Sequence, residues 1–304
     1  MEIKNILIIG SGTLGSQIGF ECAAQGFKTV MYDISDDGIT QCKKMQEEYK
    51  KIIINKLQED RSKIDVSKIK QNMEDNLSYT TNLKEAVKDI DLVSESVLED
   101  PVVKEKLYKE LSTLAPKKTI FTTNTSTFTP SDLVKFVDRP EKFLALHFAN
   151  QIWTANIAEI MGHPKTDPEV VKKVKEFAEK IGMVPIVINK EQSGYVINSM
   201  LVPWLVAGQA LIAEGIANFK DVDKTWMICT GMRQGPCGMI DMVGAETVYH
   251  VMDHWGKILN HPQMQNNAKY LNENFVKKGK IGIKTGEGYY KYPNPEYAQD
   301  DFLN

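Results

Sequence analysis

Ten residues near the N-terminus, Ile6-Leu-Ile-Ile-Gly-Ser-Gly-Thr-Leu-Gly15, restrict the possible fold more than any other stretch of the chain. Ile6 to Ile9 is apolar without a break and rich in β-branched side chains, which predicts a strand buried on both faces. Gly10, Gly12 and Gly15 follow as G-x-G-x-x-G, and Leu14, Ile18 and Phe20 to Ala24 supply the apolar positions of a helix. In such a turn the first glycine permits the sharp bend, the second lets backbone approach a pyrophosphate, and the third lets helix and strand pack closely. Thr13, Leu14 and Gly15 then open the helix, where unpaired N–H groups and a partial positive charge face an anion. Lys28 to Tyr32 reads as a second strand, closed by Asp33 eighteen residues after Gly15. A carboxylate there accepts hydrogen bonds from a ribose 2′-hydroxyl and repels a 2′-phosphate. Neither Ile34 nor Ser35 supplies a compensating arginine. Strand, turn, helix, strand and acid together predict a site for NAD rather than NADP.

The 304 residues are enough for two domains, and 42% hydrophobic with 25% charged residues is ordinary globular composition. A net charge of −3 offers no attraction to nucleic acid or an anionic membrane, so neither is expected as a partner. No uninterrupted apolar run approaches the roughly 20 residues of a membrane span. Met1-Glu-Ile-Lys leads directly into the first strand and does not resemble a secretory signal. Cys22, Cys42, Cys229 and Cys237 form no C-x-x-C pair, and a reduced, cytoplasmic setting is the expectation. His250 and His254 stand at i, i+4 with Asp253 between them and Glu246 a turn earlier, but match neither zinc-protease pattern. No metal is expected.

Strand-like runs at Leu77–Thr80, Asp91–Val97, Thr119–Thr123, Lys142–Phe148, Asn156–Met161 and Met183–Ile188 alternate with helical segments, including Pro101 to about Leu114. A long helical stretch from Asp36 to about Asp60 and a polar one over 61–76 form a larger insertion than a minimal mononucleotide fold needs. The first carries Lys43, Lys44, Lys50, Lys51 and Lys56, either a solvated face or a basic rim for a phosphorylated ligand. After Asn189 only helical spacing appears, over 194–218, 221–230, 237–258 and 263–278. The predicted fold is α/β, a doubly wound Rossmann-type sheet in residues 1–188 followed by an all-helical C-terminal domain in 189–304.

Hydride transfer needs a partner for the accompanying proton. Of the five histidines, only His147 falls near the C-terminal end of a strand in the cofactor domain, and histidine suits a general base near neutral pH. Glu159, on the following strand, is the candidate carboxylate to fix its tautomer and stabilise the imidazolium. Asn124-Thr125-Ser126 ends another strand, where an open α/β sheet places ligand chemistry.

These motifs, with Glu95-Ser-Val-Leu-Glu99, His147-Phe-x-Asn150, Gly194-Tyr-Val-Ile-Asn198, Gly235-Pro236, Asp241-x-Val-Gly244 and Lys284-Thr-Gly-Glu-Gly-Tyr-Tyr, occur in an order and spacing that resembles the 3-hydroxyacyl-CoA dehydrogenase family over almost the whole chain. The resemblance implies that His147 is the base and Glu159 its orienting partner. It implies that Ser126 and Asn198 hydrogen-bond the reacting oxygen and the histidine. It also implies that Glu99, Lys104 and Asn150 line the nicotinamide half, with Asn124 beside them. The insertion, with Lys50 and Lys51, would then help to hold CoA, and the helical domain would form a homodimer. Family members usually continue His-Phe-Phe-Asn-Pro, whereas here the run is His147-Phe-Ala-Asn-Gln-Ile-Trp153. The arginine that commonly follows the asparagine is Ser199, and Pro-Met-Gly-Pro-Phe is replaced by Arg233-Gln-Gly-Pro-Cys237. The expected activity is NAD-dependent oxidation of short-chain L-3-hydroxyacyl-CoA, or the reverse reduction. The alternatives are a dehydrogenase of a free 3-hydroxy acid such as a sugar acid or carnitine, with Arg233 receiving a carboxylate, and a crystallin-like NAD-binding protein without turnover.

Overall fold

The computed structural model describes residues 2–59 and 66–304, the side chains of 54–59 excepted. The chain divides into two units, Met1–Val196 and Ile197–Asn304. In the first unit the order is β1 (Asn5–Ile9), α1 (Thr13–Ala24), β2 (Lys28–Tyr32), α2 (Asp36–Glu59), α3 (Val66–Asn76), β3 (Leu77–Thr80) and a single turn, α4 (Leu83–Ala86). Then come β4 (Leu92–Glu95), α5 (Pro101–Leu114), β5 (Ile120–Thr123), the short α6 (Pro130–Leu133), β6 (Phe143–Phe148), β7 (Ile157–Met161), α7 (Pro168–Lys180) and β8 (Val184–Ile188). The strands form one eight-stranded sheet of order β3-β2-β1-β4-β5-β6-β7-β8. β6 and β7 pair antiparallel, while β1 pairs parallel with both β2 and β4. Strand order reverses between β1 and β4, which opens the crevice where doubly wound sheets bind ligands.

Alternation within β1 shows why the first strand had to be apolar throughout. Ile6 and Ile8 enter one core with Ile18, Cys22 and Phe177, whereas Leu7 and Ile9 enter the core on the other face with Tyr108 and Leu111. Burying each such aliphatic side chain stabilises the fold by about 1.5–3 kcal/mol. At the turn Gly10 has φ +94°, and a Cβ on Gly15 would lie 2.0 Å from the Gly10 carbonyl oxygen. Only glycine satisfies both positions. The insertion packs back onto α1: Phe20, Tyr49 and Met73 share a small core, and Trp153 from the β6–β7 loop stacks on Tyr49 at 5.0 Å. Residues 60–65, the end of the first predicted helical stretch and the start of the polar segment predicted over 61–76, lie outside the described residues.

Helix α8 (Tyr195–Ala213) begins at the end of the first unit, and α9 (Phe219–Thr230), α10 (Pro236–Val243), α11 (Ala245–Ile258) and α12 (Pro262–Asn274) complete the second. The single helix expected over 237–258 is two. Gly244 sits between them at φ +98°, and the Ala245 N–H leaves the helical ladder to donate to the Ile281 carbonyl at 2.8 Å. Among the described residues, helix α8 is the one helix long and apolar enough on average to cross a membrane. An 18-residue window of this 19-residue helix has a mean hydropathy of 1.6, and 17% of that window is buried. Asn198, Ser199 and Gln209 interrupt the apolar run.

Two buried carboxylates organise the second unit. Asp223 accepts the Cys237 and Gly238 N–H groups at the start of α10, at 2.8 and 3.0 Å. Asp241 accepts the N–H groups of Tyr289 and Tyr290 at 2.8 Å each, with the Tyr292 hydroxyl donating at 3.1 Å. Burial, outweighing these hydrogen bonds, pushes Asp241 up to about 6. An acid whose folded pKa is raised stabilises the fold fully below its unfolded value and loses that contribution as pH climbs through the folded one. Asp241 therefore makes the second unit less stable by about 2–3 kcal/mol between pH 4 and pH 7. Denaturant unfolding followed by tryptophan fluorescence should show this slope in the wild type and a shallower one in Asp241→Asn, where Asp223, also raised by burial, still contributes. Equal slopes in both proteins would contradict the assignment.

Candidate active site

The crevice lies at the C-terminal ends of β1 and β4, a cleft of about 380 Å³ lined by Gly12, Thr13, Leu14, Gly15, Glu95, Ser96, Val97, Glu99, Asn124 and Ser126. Gly12 is the N-cap of α1, with no side chain capping the first turn, and nothing lies within 4 Å of where its Cβ would be. Open space in front of uncapped N–H groups fits a pyrophosphate. Asp33 stands beside it, its Oδ2 accepting the Ser11 N–H at 3.0 Å and the Ser11 hydroxyl at 2.6 Å. Burial tends to raise its pKa, but these bonds and those from Ser35 outweigh it and hold Asp33 below the usual carboxylate range. An ionised acid at this position fits the ribose of NAD.

The strand register creates the second part of the site. His147 on β6 is paired directly with Glu159 on β7. His147 Nδ1 lies 2.8 Å from Glu159 Oε2, and both residues are buried. A carboxylate only accepts hydrogen bonds, so the proton sits on Nδ1 and Nε2 keeps its lone pair. That Nε2 lies 3.1 Å from the Ser126 hydroxyl, at the exposed end of β5. Glu159 Oε1 accepts the Val196 N–H at 2.8 Å.

Under Ser126 lies a buried charge network built on Glu95, Lys104 and Glu99. Glu95 Oε1 accepts from Lys104 Nζ at 2.7 Å, and its Oε2 accepts the Tyr108 and Thr123 hydroxyls at 2.9 and 2.7 Å. Lys104 Nζ is also 3.2 Å from Glu99 Oε2. Glu99 Oε1 in turn accepts the Thr125 hydroxyl and the N–H groups of Ser126 and Thr127, the last two at 3.2 and 3.1 Å. Burial would raise Glu99, but the Lys104 charge and these donors lower its pKa on balance. Lys104 is only 1% exposed, so it underpins the cleft rather than facing it. Removing it would leave Glu95 buried and uncompensated, a loss of about 3–5 kcal/mol. Glu95 is an acid inside a strand buried at every position, which by itself calls for a buried partner, and Lys104 is that partner.

Asn124 faces the cleft and also ties strand ends together, accepting the Phe148 N–H at 2.9 Å through its side-chain carbonyl. Asn150 is exposed on the loop after β6, where Gln151 takes φ +59°. Proline cannot adopt that angle. The departure from the usual Asn-Pro thus accompanies a different turn, held by Gln17, whose side-chain oxygen accepts the Gln151 N–H at 2.8 Å. Lys50 lies 3.7 Å from Glu47, Lys51 is exposed, and Lys43 rests over the Tyr79 ring at 4.7 Å. The Lys56 side chain is outside the described residues. Asn198 lies in the first turn of α8, within the second unit. Among the described residues no group of three or more His, Cys, Asp or Glu could hold a metal ion.

A dinucleotide-type crevice beside a buried histidine–carboxylate pair agrees with the class that the comparisons show, an NAD-dependent oxidoreductase acting on a CH–OH group. Comparison with known proteins makes the class specific. The family description "3-hydroxyacyl-CoA dehydrogenase, NAD binding domain" matches residues 5–192, and "3-hydroxyacyl-CoA dehydrogenase, C-terminal domain" matches residues 194–292. The chain belongs to the 3-hydroxyacyl-CoA dehydrogenase family. It is 29% identical to the mitochondrial hydroxyacyl-coenzyme A dehydrogenase of Sus scrofa over 290 residues, 95% of this chain and 91% of that one. Among solved structures, a diketoreductase described as acting on dicarbonyl compounds is 44% identical, with a TM-score of 0.87 over 96% of this chain and all of its own. The (S)-3-hydroxybutyryl-CoA dehydrogenase of Ralstonia eutropha is 25% identical, with a TM-score of 0.82 over 96% and 100% of the two chains.

The ionised Asp33 yields a cofactor prediction. Asp33→Ala should lower the ratio of kcat/KM for NADH over NADPH by at least about tenfold, equivalent to about 1.4 kcal/mol. An unchanged ratio in parallel steady-state assays would remove Asp33 from cofactor choice.

Proposed function

We propose that the protein interconverts short-chain L-3-hydroxyacyl-CoA and 3-oxoacyl-CoA, with His147 as the proton-transfer group. The observation that carries this reading is the single line of contacts from Ser126 Oγ through His147 to Glu159, at 3.1 and 2.8 Å. Bound NAD supplies the hydride acceptor in the oxidising direction. His147 Nε2 takes the proton of the 3-hydroxyl, and the charge that forms on the ring is stabilised across Nδ1–H by Glu159. In reduction the same imidazolium returns the proton to the carbonyl oxygen. Ser126 is the hydroxyl placed to hydrogen-bond that oxygen, and Asn198 is assigned the same task by family resemblance. Glu99 and Asn150 take the nicotinamide side, with Lys104 acting beneath Glu99. Lys50 and Lys51 on α2 are assigned to the CoA phosphates. A purely binding, crystallin-like role is disfavoured, because a binder has no use for an assembled base and carboxylate.

A second reading has its own support in the 44% identity to the diketoreductase, well above the 25% identity to the 3-hydroxybutyryl-CoA dehydrogenase. On that reading the substrate is a small dicarbonyl or free hydroxy acid, and Arg233, exposed between α9 and α10, receives its polar end. A homodimer is supported by α8 and the segments around it, which expose Met200, Ile216 and Ile228 at 61%, 64% and 61%. An apolar surface of this kind is normally covered by a partner. A cytoplasmic, reducing location is supported by four free thiols, at Cys22, Cys42, Cys229 and Cys237.

The test combines a substrate panel with variants. His147→Gln should lower kcat by about 10²–10⁴ with little change in NADH affinity, and Glu159→Gln should also lower it. A folded His147→Gln protein with wild-type turnover would overturn the mechanism. If CoA esters are the substrates, Lys50→Gln with Lys51→Gln raises KM for acetoacetyl-CoA alone. If free dicarbonyls outperform every CoA ester and Arg233→Met abolishes that advantage, the second reading replaces the first.

A further inference from the structure

The His147–Glu159 pair is held by more than its own strands. Three features of the segment that follows β8 converge on it, and all lie within the first unit. First, the Val196 N–H donates to Glu159 Oε1 at 2.8 Å, so the second oxygen of the carboxylate is held as well as the first. Second, the Tyr195 ring lies over the His147 imidazole, with centroids 4.7 Å apart and planes inclined by 31°. Third, Tyr195 has φ +55°, a left-handed conformation that is uncommon for a bulky residue and that follows Gly194 at φ +81°. Two successive left-handed residues turn the chain so that the next N–H points at Glu159 while the Tyr195 ring covers His147.

The conformation is secured from the side of Ser126. The Ser193 hydroxyl donates to the Thr127 carbonyl at 2.7 Å, and the Tyr195 hydroxyl donates to the Phe128 carbonyl at 3.3 Å. Glu191 accepts the Ser131 N–H and hydroxyl at 2.7 and 2.6 Å. Burial, with the Glu99 and Glu159 charges nearby, pushes the Tyr195 phenol up, so the ring stays neutral throughout the working pH range. Tyr195 is itself 1% exposed and packs with Ala145 and Met161 on the strands that carry the pair.

We infer that Tyr195 is a positioning residue for this reaction, its left-handed backbone aiming the Val196 N–H at Glu159 and its ring fixing the plane of His147. It acts through the base rather than on substrate or cofactor. The inference rests on the reading of His147 as the base. The two fail separately: an active His147→Gln protein defeats that reading, whereas an inactive one beside a fully active Tyr195→Gly protein defeats only this inference.

Tyr195→Gly is the test variant, because glycine accepts the left-handed backbone without strain and should fold. Losing the ring and the fixed turn should lower kcat about tenfold or more, with KM and the NADH dissociation constant within about twofold. Tyr195→Phe keeps ring and backbone and should restore kcat to within about threefold of wild type. In a Glu159→Ala background Tyr195→Gly should cost less than about threefold, since the carboxylate it helps to hold is gone. Wild-type kcat in Tyr195→Gly would overturn the inference, as would a loss confined to NADH affinity or full multiplication of the two losses. If Glu159→Ala fails to fold, the separation of kcat from KM and the rescue by Phe decide the question.

Discussion

The hydrogen bond between His147 and Glu159 depends on the direction of one strand. β6 runs toward the crevice edge of the sheet and delivers His147 there. Had β7 run parallel to it, the first residues of β7 would begin at the opposite edge. Because β7 returns antiparallel, Glu159 near its start meets His147 near the end of β6. Side chains alternate with a period of two, so a slip of one residue in this register would turn the carboxylate to the opposite face. The geometry of the histidine–carboxylate pair and the sheet register are therefore one property in this protein.

Around that bond the fold separates charge that is structural from charge that faces ligand. Lys104 and Glu95 are buried against each other, and breaking such a pair is costly because the remaining charge is left uncompensated. The Lys109–Glu105 pair, 2.6 Å long but on the surface of α5, belongs to the class of exposed pairs that contribute about 0–1 kcal/mol. The buried pair supports Glu99 and, through its acceptor bonds, the backbone at Ser126. The cleft is thus walled by groups whose positions are set from below, which leaves Ser126 and the first turn of α1 open toward it.

Much of this was legible in the amino-acid order. The uninterrupted run Ile6–Ile9 required two covered faces, and the two cores that share its alternate side chains meet that requirement. Pro101 marked the start of α5, where Asp100 caps the Val102 N–H at 2.7 Å. The antiparallel return of β7 was also within reach, since the eight residues 149–156 are too few for a parallel crossover, which needs a dozen or more. Other features had no local signature. Gly244 divides one helical period into α10 and α11 through a tertiary contact with Ile281. Family resemblance put Lys104 at the nicotinamide half of the cleft, whereas its burial beneath Glu99 and against Glu95 follows from the packing of α5 on β4. Tyr195 is left-handed because its neighbours hold it so, and nothing in the residue type announces that conformation.

The central claim is that Glu159 holds His147 with its proton on Nδ1 and its Nε2 lone pair directed to the substrate side. Nitrogen NMR of the protein labelled at its histidine ring nitrogens, with His147→Gln used to assign the signals, reads this directly. The account predicts a protonated Nδ1 and an unprotonated Nε2 for the neutral ring, with the Nδ1 proton shifted downfield by its carboxylate partner. A neutral His147 carrying its proton on Nε2 would contradict it.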